Sequence, residues 1–190
     1  LFSRQAKKVV GVDYSPAIIK QANRTYLSFN IEFLSEDIRK LKLKEESLDI
    51  VSAFQIIEHF KKPERILSKI RSWLKPDGLF ILSLPNKKTT IIEHPYHYRE
   101  YDKDDLEVVL KKYFSRVEIL GLRFSEKVAK FREKRRQTSQ KVLTIDPFKL
   151  HRFIPRFIRQ IIFDLTADRL GRKIYLEDKD LILGISTDDY

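Results

Sequence analysis

A regular alternation of short apolar runs with segments of helical periodicity is the feature that most constrains how this chain folds. β-Branched and apolar residues predict strands at Val9–Val12, Ile31–Leu34, Leu48–Phe54 and Leu79–Leu84. Near-continuous apolar strands separated by amphipathic helices are typical of a mainly parallel sheet that is covered on both faces. We therefore expect an α/β fold with a doubly wound, mainly parallel sheet.

The helix signals agree with this alternation. Ser15 followed by Pro16 predicts an N-cap and a first helical residue, and Pro63 predicts the start of a second helix. The residues expected to face the core share helical spacing; they are Ile18, Ile19 and Ala22 in the first helix and Ile66, Leu67, Ile70 and Leu74 in the second. A turn is expected at Pro76-Asp77-Gly78, before the fourth strand.

The pattern changes after Pro85. Residues 86–101 are polar and aromatic and include two histidines, which predicts a loop over a site. Asp102 is expected to cap a further helix, in which Leu106, Val109 and Leu110 face inward. Two more strands are predicted, at Val117–Leu120 and Leu181–Ile185.

Length and charge suggest one domain with a basic appendage. The 190 residues, 42% of them hydrophobic, predict a single domain over residues 1–190, and no apolar run approaches the about 20 residues of a membrane-spanning helix. Residues 122–172 carry 14 Lys and Arg against 5 Asp and Glu, and so hold most of the net charge of +11. We interpret this range as a basic helical insert before the last strand of a nearly neutral domain.

The chain contains neither cysteine nor methionine. Without cysteine, disulfides, thiolate metal sites and cysteine nucleophiles are excluded, and we expect no metal in the site and a cytoplasmic location. Because a complete reading frame normally begins with methionine, we also expect that Leu1 is not the natural start.

Acidic residues follow the first two predicted strands, at the edge of a parallel sheet where ligands bind. Asp13 can accept hydrogen bonds from ribose hydroxyls, although an Asp that merely begins a turn before a helix cap explains it equally well. Asp37 lies 24 positions further on, which fits one strand–helix–strand crossover, and can accept a proton from an adenine amine. Tyr14 and Ile38 are placed to sandwich the ring.

Two further segments carry a family resemblance. Leu48–Phe60 reads LDIVSAFQIIEHF, and Lys75-Pro76-Asp77-Gly78 precedes the next predicted strand. Together with the turn VGVDYSP at residues 10–16, they resemble the class I S-adenosylmethionine-dependent methyltransferases of the small-molecule group, from the first residues to about Gly121 and again at the last strand. The resemblance implies a Rossmann-like fold, S-adenosylmethionine as the cofactor, and methyl transfer to a small-molecule, saccharide or lipid-linked acceptor, with oxygen as the expected acceptor atom.

The resemblance also implies roles for individual residues. It places Asp13, beside Tyr14, at the ribose hydroxyls, Asp37 and Ile38 at the adenine, and Gln55 near the methionine portion of the cofactor. Residues 96–106 resemble a segment common in relatives associated with surface polysaccharide or lipid-carrier genes. One departure is large, because the family's first strand and its glycine-rich turn have no counterpart in this sequence. We therefore expect half of the cofactor site to be lacking and the fragment itself to be impaired.

Histidines supply the candidate general bases. His59 follows Glu58 at a predicted strand-to-helix corner, where a capping role is the alternative. His97 is preferred over His94, because Tyr96 and Tyr98 flank it and can exclude water, although a surface-loop histidine is again the alternative. Methyl transfer also proceeds without a base when acceptor, methyl group and sulfonium are aligned.

Two rival functions follow from the same residues. An NAD-dependent dehydrogenase also has an acid after its second strand, but the Glu-His corner and the Lys-Pro-Asp-Gly turn count against it. A non-catalytic module would use the basic insert to bind an anionic membrane or nucleic acid. Nucleic acid is disfavoured because base readers usually interleave arginine with aromatics or glycine, whereas Lys127–Arg136 is typical of a solvated helix face. Within the insert, His151–Phe163 predicts an amphipathic helix. Phe153, Phe157, Ile161 and Leu165 either pack over the sheet or the acceptor pocket or, rimmed by Arg152, Arg156 and Arg159, lie on the inner membrane face.

Overall fold

The structure is a computed structural model that describes residues 2–90, 94–126, 128–130, 133, 137, 154–155, 157–161 and 181–184. Its strands and helices are β1 (Val9–Asp13), α1 (Pro16–Thr25), β2 (Ile31–Ser35), β3 (Leu48–Phe54), α2 (Pro63–Trp73), β4 (Leu74–Ser83), α3 (Lys103–Leu110), β5 (Gly121–Phe124) and β6 (Leu181–Gly184). The chain divides into two compact units, one of Leu1–Val51 with Ser68–Leu79 and one of Ser52–Leu67 with Phe80–Tyr190. The prediction of a single domain with an insert at 122–172 stays a prediction.

Strands β1 and β2 pair in parallel, as the alternation predicted. Val9 lies opposite Ile31, and Asp13 lies opposite Ser35 at the other end of the pair. Helix α1 makes the crossover between the two strands, with the Ser15 side chain accepting a hydrogen bond from a backbone amide of its first turn and Pro16 as its first residue. The predicted strand–helix–strand unit is confirmed.

The buried side chains of the first unit come from α1, from the loop before β3, from the end of α2 and from the first residue of β4. They include Ile19, Leu41, Ile70, Trp73 and Leu74. The expected inward position of Ile18 is wrong, because this side chain is 53% exposed. One residue turns a helix by about 100°, so Ile18 points away when Ile19 faces the strands.

Helix α2 runs directly into β4, and the turn expected at 76–78 lies inside that strand instead. Strand β4 pairs with β3, so a neighbouring backbone holds this segment extended. Gly78 is needed there: a Cβ atom would lie 2.9 Å from Cδ2 of Leu74 and 3.1 Å from the carbonyl oxygen of Leu48.

The second unit has its own buried cluster. Its core side chains are Ala53, Ile57, Ile66, Leu67, Tyr101, Val109, Leu110 and Val128. Asp102 caps α3 as predicted, since its carboxylate accepts a hydrogen bond from the Asp105 amide at 3.0 Å. Phe80 and Phe114 stack with ring centroids 5.3 Å apart.

The strand predicted at Val117–Leu120 is displaced to β5, which pairs antiparallel with β6. Gly121 lies opposite Gly184 and Phe124 opposite Leu181. A strand begins where a partner supplies hydrogen bonds, and a local apolar run does not reveal the partner's register. The predicted last strand is confirmed for Leu181–Gly184.

Candidate functional site

The carboxyl ends of β1 and β2 bring two predicted site residues to the same edge. Asp13 ends β1, and its carbonyl oxygen accepts a hydrogen bond from the Glu36 amide at 3.0 Å, one residue before Asp37. One carboxylate oxygen of Asp13, Oδ1, accepts a hydrogen bond from the Ser15 amide at 2.8 Å. The turn predicted as the alternative role for Asp13 therefore exists, and it engages only one of the two carboxylate oxygens.

Asp37 is held by a neighbouring arginine. Nε of Arg39 donates to Oδ2 of Asp37 at 2.8 Å and to Oδ1 at 2.9 Å. These bonds lower the pKa of the Asp37 carboxyl to about 2. The Arg39 backbone amide also donates to Oδ1 at 2.9 Å and the terminal Nη2 group of Arg39 donates to Oδ2, so each carboxylate oxygen accepts two hydrogen bonds and the orientation of Asp37 is fixed.

Lys69 is a residue that the sequence analysis missed. Its Nζ atom donates to the carbonyl oxygens of Arg39 at 2.7 Å, Leu41 at 2.9 Å and Ile38 at 3.4 Å. Helix α2 thereby holds the loop that carries Asp37 and Ile38. No local sequence pattern marks this role, since the contacted carbonyls lie about 30 positions earlier in the chain.

Tyr14 and Gln55 follow β1 and β3. The Tyr14 side chain is 80% exposed, as a residue that stacks on a ligand must be before the ligand binds. Gln55 adopts a positive φ of 55°, and its amide donates to the Ser83 carbonyl at 3.0 Å. A left-handed conformation is uncommon for a residue other than glycine, and such residues concentrate at functional sites.

Glu58 is buried completely in the second unit. Its side chain has no solvent exposure, and within the described part of the chain neither carboxylate oxygen has a hydrogen-bond partner. Burial raises the pKa of the Glu58 carboxyl. The backbone carbonyl of the same residue accepts a hydrogen bond from the Tyr98 amide at 2.8 Å, which ties the loop of residues 94–101 to the turn at Ile57–His59.

The two histidines predicted to act in catalysis lie together. The rings of His59 and His97 are 5.0 Å apart between centroids, in an edge-to-face arrangement. Nδ1 of His59 lies 3.1 Å from the Tyr96 carbonyl oxygen, and Nδ1 of His97 lies 2.7 Å from Oε1 of Glu100. Both neighbours accept hydrogen bonds, so both rings carry the proton on Nδ1 when neutral and present the Nε2 lone pair.

The basic insert reaches the same loop. Residues 157–161 are helical, and the Gln160 side chain donates to the Pro95 carbonyl at 3.4 Å. Phe157 is 63% exposed and Ile161 55%, so the expectation that these two side chains pack over the sheet is wrong. Phe153, Leu165, Arg152 and Arg156 lie outside the described residues.

Comparison with known proteins agrees with the resemblance drawn from the motifs. Residues 1–82 match the family described as "Methyltransferase domain". A protein of Mycolicibacterium smegmatis named "Probable S-adenosylmethionine-dependent methyltransferase" is 29% identical over 116 residues, which cover 58% of this chain and 44% of the relative. (S)-Coclaurine N-methyltransferase of Papaver somniferum is 32% identical over 104 residues, covering 55% and 27% of the two chains.

The fold agrees as well. A crystal structure from Bacillus halodurans C-125 described as "a putative methyltransferase" aligns with a TM-score of 0.55 at 18% identity, over 96% of this chain and 80% of that one. The predicted fold class is confirmed, because the chain shares the Rossmann-like α/β fold of this structure, and residues 1–82 are similar to the methyltransferase domain family. The chain spans less than half the length of the two curated relatives named above. Among the residues described, no helix is long and apolar enough to cross a membrane.

Proposed function

We propose that the protein transfers a methyl group from S-adenosylmethionine to a hydroxyl group of a small-molecule, saccharide or lipid-linked acceptor. The observation that carries the proposal is the parallel β1–β2 edge with Asp13 and Asp37, inside the range that matches the methyltransferase family. Rossmann-like sheets bind nucleotides at this carboxyl edge.

The residues at this edge fit the adenosine half of the cofactor. Oδ1 of Asp13 accepts the Ser15 amide, which fixes the carboxylate and directs its second oxygen, Oδ2, to a ribose hydroxyl. Asp37, fixed by Arg39, faces the adenine amine, while Tyr14 and Ile38 cover the two faces of the ring. Gln55 lies near the methionine portion. The cofactor supplies a methyl group on a positively charged sulfur, which becomes neutral when the group leaves.

His59 and His97 are proposed to act on the acceptor. Their Nε2 lone pairs are directed by hydrogen bonds at Nδ1, and His97 is partly shielded beside Glu100. An alcohol is a poor nucleophile until its proton is removed or polarised, whereas a neutral amine needs no such help. A cluster of imidazoles therefore supports oxygen as the acceptor atom, with nitrogen as the alternative outcome of an acceptor screen.

Cofactor binding tests the proposal directly. Asp13→Asn keeps an oxygen for the Ser15 amide and removes the charge that accepts from ribose. We expect it to weaken S-adenosylhomocysteine binding by about 1–3 kcal/mol, the range for a charged hydrogen-bond partner. Calorimetry on the 190-residue chain measures this, with Asp49→Asn, an exposed acid of β3, as the matched control. Equal affinity in Asp13→Asn and wild type would remove Asp13 from the site.

A peripheral contact with an anionic membrane from the cytoplasmic side is part of the proposal. The specific support is the exposed pair Phe157 and Ile161, in a segment of net charge +9 that also touches the loop of His97. A shallow apolar face surrounded by basic residues fits an anionic headgroup region, where each basic residue contributes about 1 kcal/mol. Such a contact would bring a lipid-linked acceptor to the histidine cluster. Nucleic acid is not proposed as a partner.

A further inference from the structure

The cluster of Glu58, His59 and His97 has a composition that proton transfer alone does not explain. One ligand atom from each of these residues lies within 4.8 Å of the other two. A general base needs one imidazole, and here two imidazoles converge on a carboxylate that is fully buried. Two neutral nitrogens and one carboxylate oxygen are the donor set of open sites for divalent transition metals.

Glu58 provides the second observation. Both of its carboxylate oxygens are buried, and no hydrogen-bond donor reaches either one within the described residues. A buried carboxylate without a partner costs several kcal/mol, so such groups are paired with a cation or hold a proton. A ring nitrogen of His59 and one of His97 lie within 4.8 Å of a Glu58 carboxylate oxygen, but the Nε2 atoms of both rings carry lone pairs and donate nothing when neutral. A cation between the three groups satisfies all of them.

The surroundings of the histidines fit metal ligands. Glu100 accepts from Nδ1 of His97 at 2.7 Å, and the Tyr96 carbonyl lies 3.1 Å from Nδ1 of His59. Metal-binding histidines nearly always donate their second ring N–H to a carboxylate or a backbone carbonyl, which fixes the tautomer and raises the basicity of the ligating nitrogen. In this cluster the acceptor for His97 is a carboxylate, and the acceptor for His59 is a backbone carbonyl.

We infer that Glu58, His59 and His97 bind one divalent transition-metal ion of the Zn²⁺ type, with Glu100 as the positioning residue of His97. The lack of cysteine predicts no metal in the site, but histidine and carboxylate ligands do not require cysteine. Three protein ligands leave coordination positions open. If the proposed function holds, the acceptor hydroxyl would occupy one of them, where a bound metal would lower the pKa of the hydroxyl and the proton would pass to solvent water. His59 and His97 would then hold the metal instead of removing the proton.

Zinc binding tests the inference without any reference to catalysis. The 190-residue chain is treated with a chelator and titrated with ZnCl₂ by calorimetry, and Co²⁺ absorption in the visible range reports the ligand set. We expect one site per chain. His59→Ala and His97→Ala should each weaken Zn²⁺ binding more than the about 10–100-fold expected for Glu100→Ala, which removes only an outer hydrogen-bond partner.

Two variants keep the result interpretable. His94→Ala is the matched control, because the ring of His94 stacks on His97 at 4.5 Å but is not one of the three ligands, and Zn²⁺ affinity should be unchanged. Glu58→Gln retains the shape of the side chain and should lose Zn²⁺ binding while the fold, checked by circular dichroism, persists. Absence of Zn²⁺ binding, equal binding in His97→Ala, or a loss in His94→Ala as large as in His97→Ala would overturn the assignment.

The same samples separate this inference from the proposed function. S-Adenosylhomocysteine binding is measured on the wild-type chain with and without Zn²⁺. Zinc binding without cofactor binding leaves the metal site standing without support from the proposed function. Cofactor binding without zinc binding supports the proposed function and overturns the metal site.

Discussion

The ammonium group of Lys69 lies 2.7 Å from the backbone carbonyl oxygen of Arg39. The same nitrogen also donates to the carbonyl of Leu41 at 2.9 Å, so one helix side chain replaces the regular hydrogen-bond partners that this loop lacks. Since the loop follows Asp37, its conformation sets where the proposed adenine-binding carboxylate stands. Lys69 thus connects the stability of α2 to the shape of the edge proposed to bind the cofactor.

Replacing Lys69 with methionine should expose this connection. Lys69→Met keeps most of the side-chain length and removes the donor, leaving partly buried carbonyls unsatisfied. We expect a loss of about 1–3 kcal/mol in the free energy of unfolding, measured in urea, because hydrogen bonds to a charged donor are involved. S-Adenosylhomocysteine affinity should fall as well. Lys20→Met, on the exposed face of α1, is the matched control and should change neither quantity.

The pairing of Asp37 with Arg39 predicts a pH dependence. The pKa of Asp37 is about 2 in the folded chain, below its ordinary value of 3.8. A depressed pKa stabilises the folded state above pH 4, and this contribution is lost as the pH falls from about 4 towards 2. In an NMR titration of the side-chain carboxyl carbon, Arg39→Gln should move the pKa of Asp37 back towards 3.8. Lys40→Gln should shift it only slightly, and an equal shift in both variants would contradict a specific pair.

Gly11 is predicted to be required by its strand neighbour. It lies opposite Phe33, and a Cβ atom at Gly11 would approach Cδ1 of that ring to 2.6 Å. Gly11→Ala should therefore cost about 1–3 kcal/mol, the usual range for overpacking. In a double-mutant cycle the cost should disappear in the Phe33→Ala background. If the cost of Gly11→Ala persisted in the Phe33→Ala background, its cause would be the backbone at Gly11 and not the Phe33 ring.

Local signals in the sequence predicted much of the framework. Ser15-Pro16 and Asp102 mark helix starts because capping depends on groups within a few residues, and the parallel β1–β2 unit follows from the alternation around α1. The position of β5 and the extended backbone at Pro76–Gly78 were missed, because both depend on a partner strand that is distant in the chain.

In the candidate site, too, features set by local sequence could be predicted, and features set by contacts distant in the chain could not. His59 and His97 were selected as candidates from their residue type and flanking residues, and the structure places their rings 5.0 Å apart. The burial of Glu58 was not foreseen, since the sequence at 57–59 contains no sign that the loop of residues 94–101 closes over it. Tyr101 is similar: its hydroxyl is buried without a partner in the described residues, and burial raises its pKa.

The exposed apolar pair of the basic insert leads to the last prediction. Phe157 and Ile161 are four residues apart in a helical segment, so both point to the same side, which is exposed to solvent. If this side meets a membrane, the chain should sediment with vesicles that contain anionic lipid and should remain in solution with neutral vesicles. Binding should weaken at high salt, because screening shortens the reach of the basic residues.

Two sets of variants separate the apolar from the electrostatic contribution. Phe157→Ser with Ile161→Ser should reduce vesicle binding at every salt concentration, because it removes the apolar face and leaves the charge unchanged. Arg152, Arg156 and Arg159 replaced by glutamine should reduce binding mainly at low salt. Phe2→Ser, which changes an exposed apolar residue of the first unit, is the control and should have no effect. Sedimentation that is equal for neutral and anionic vesicles, or insensitive to both sets of variants, would rule out the proposed membrane contact and leave a lipid-linked acceptor without support.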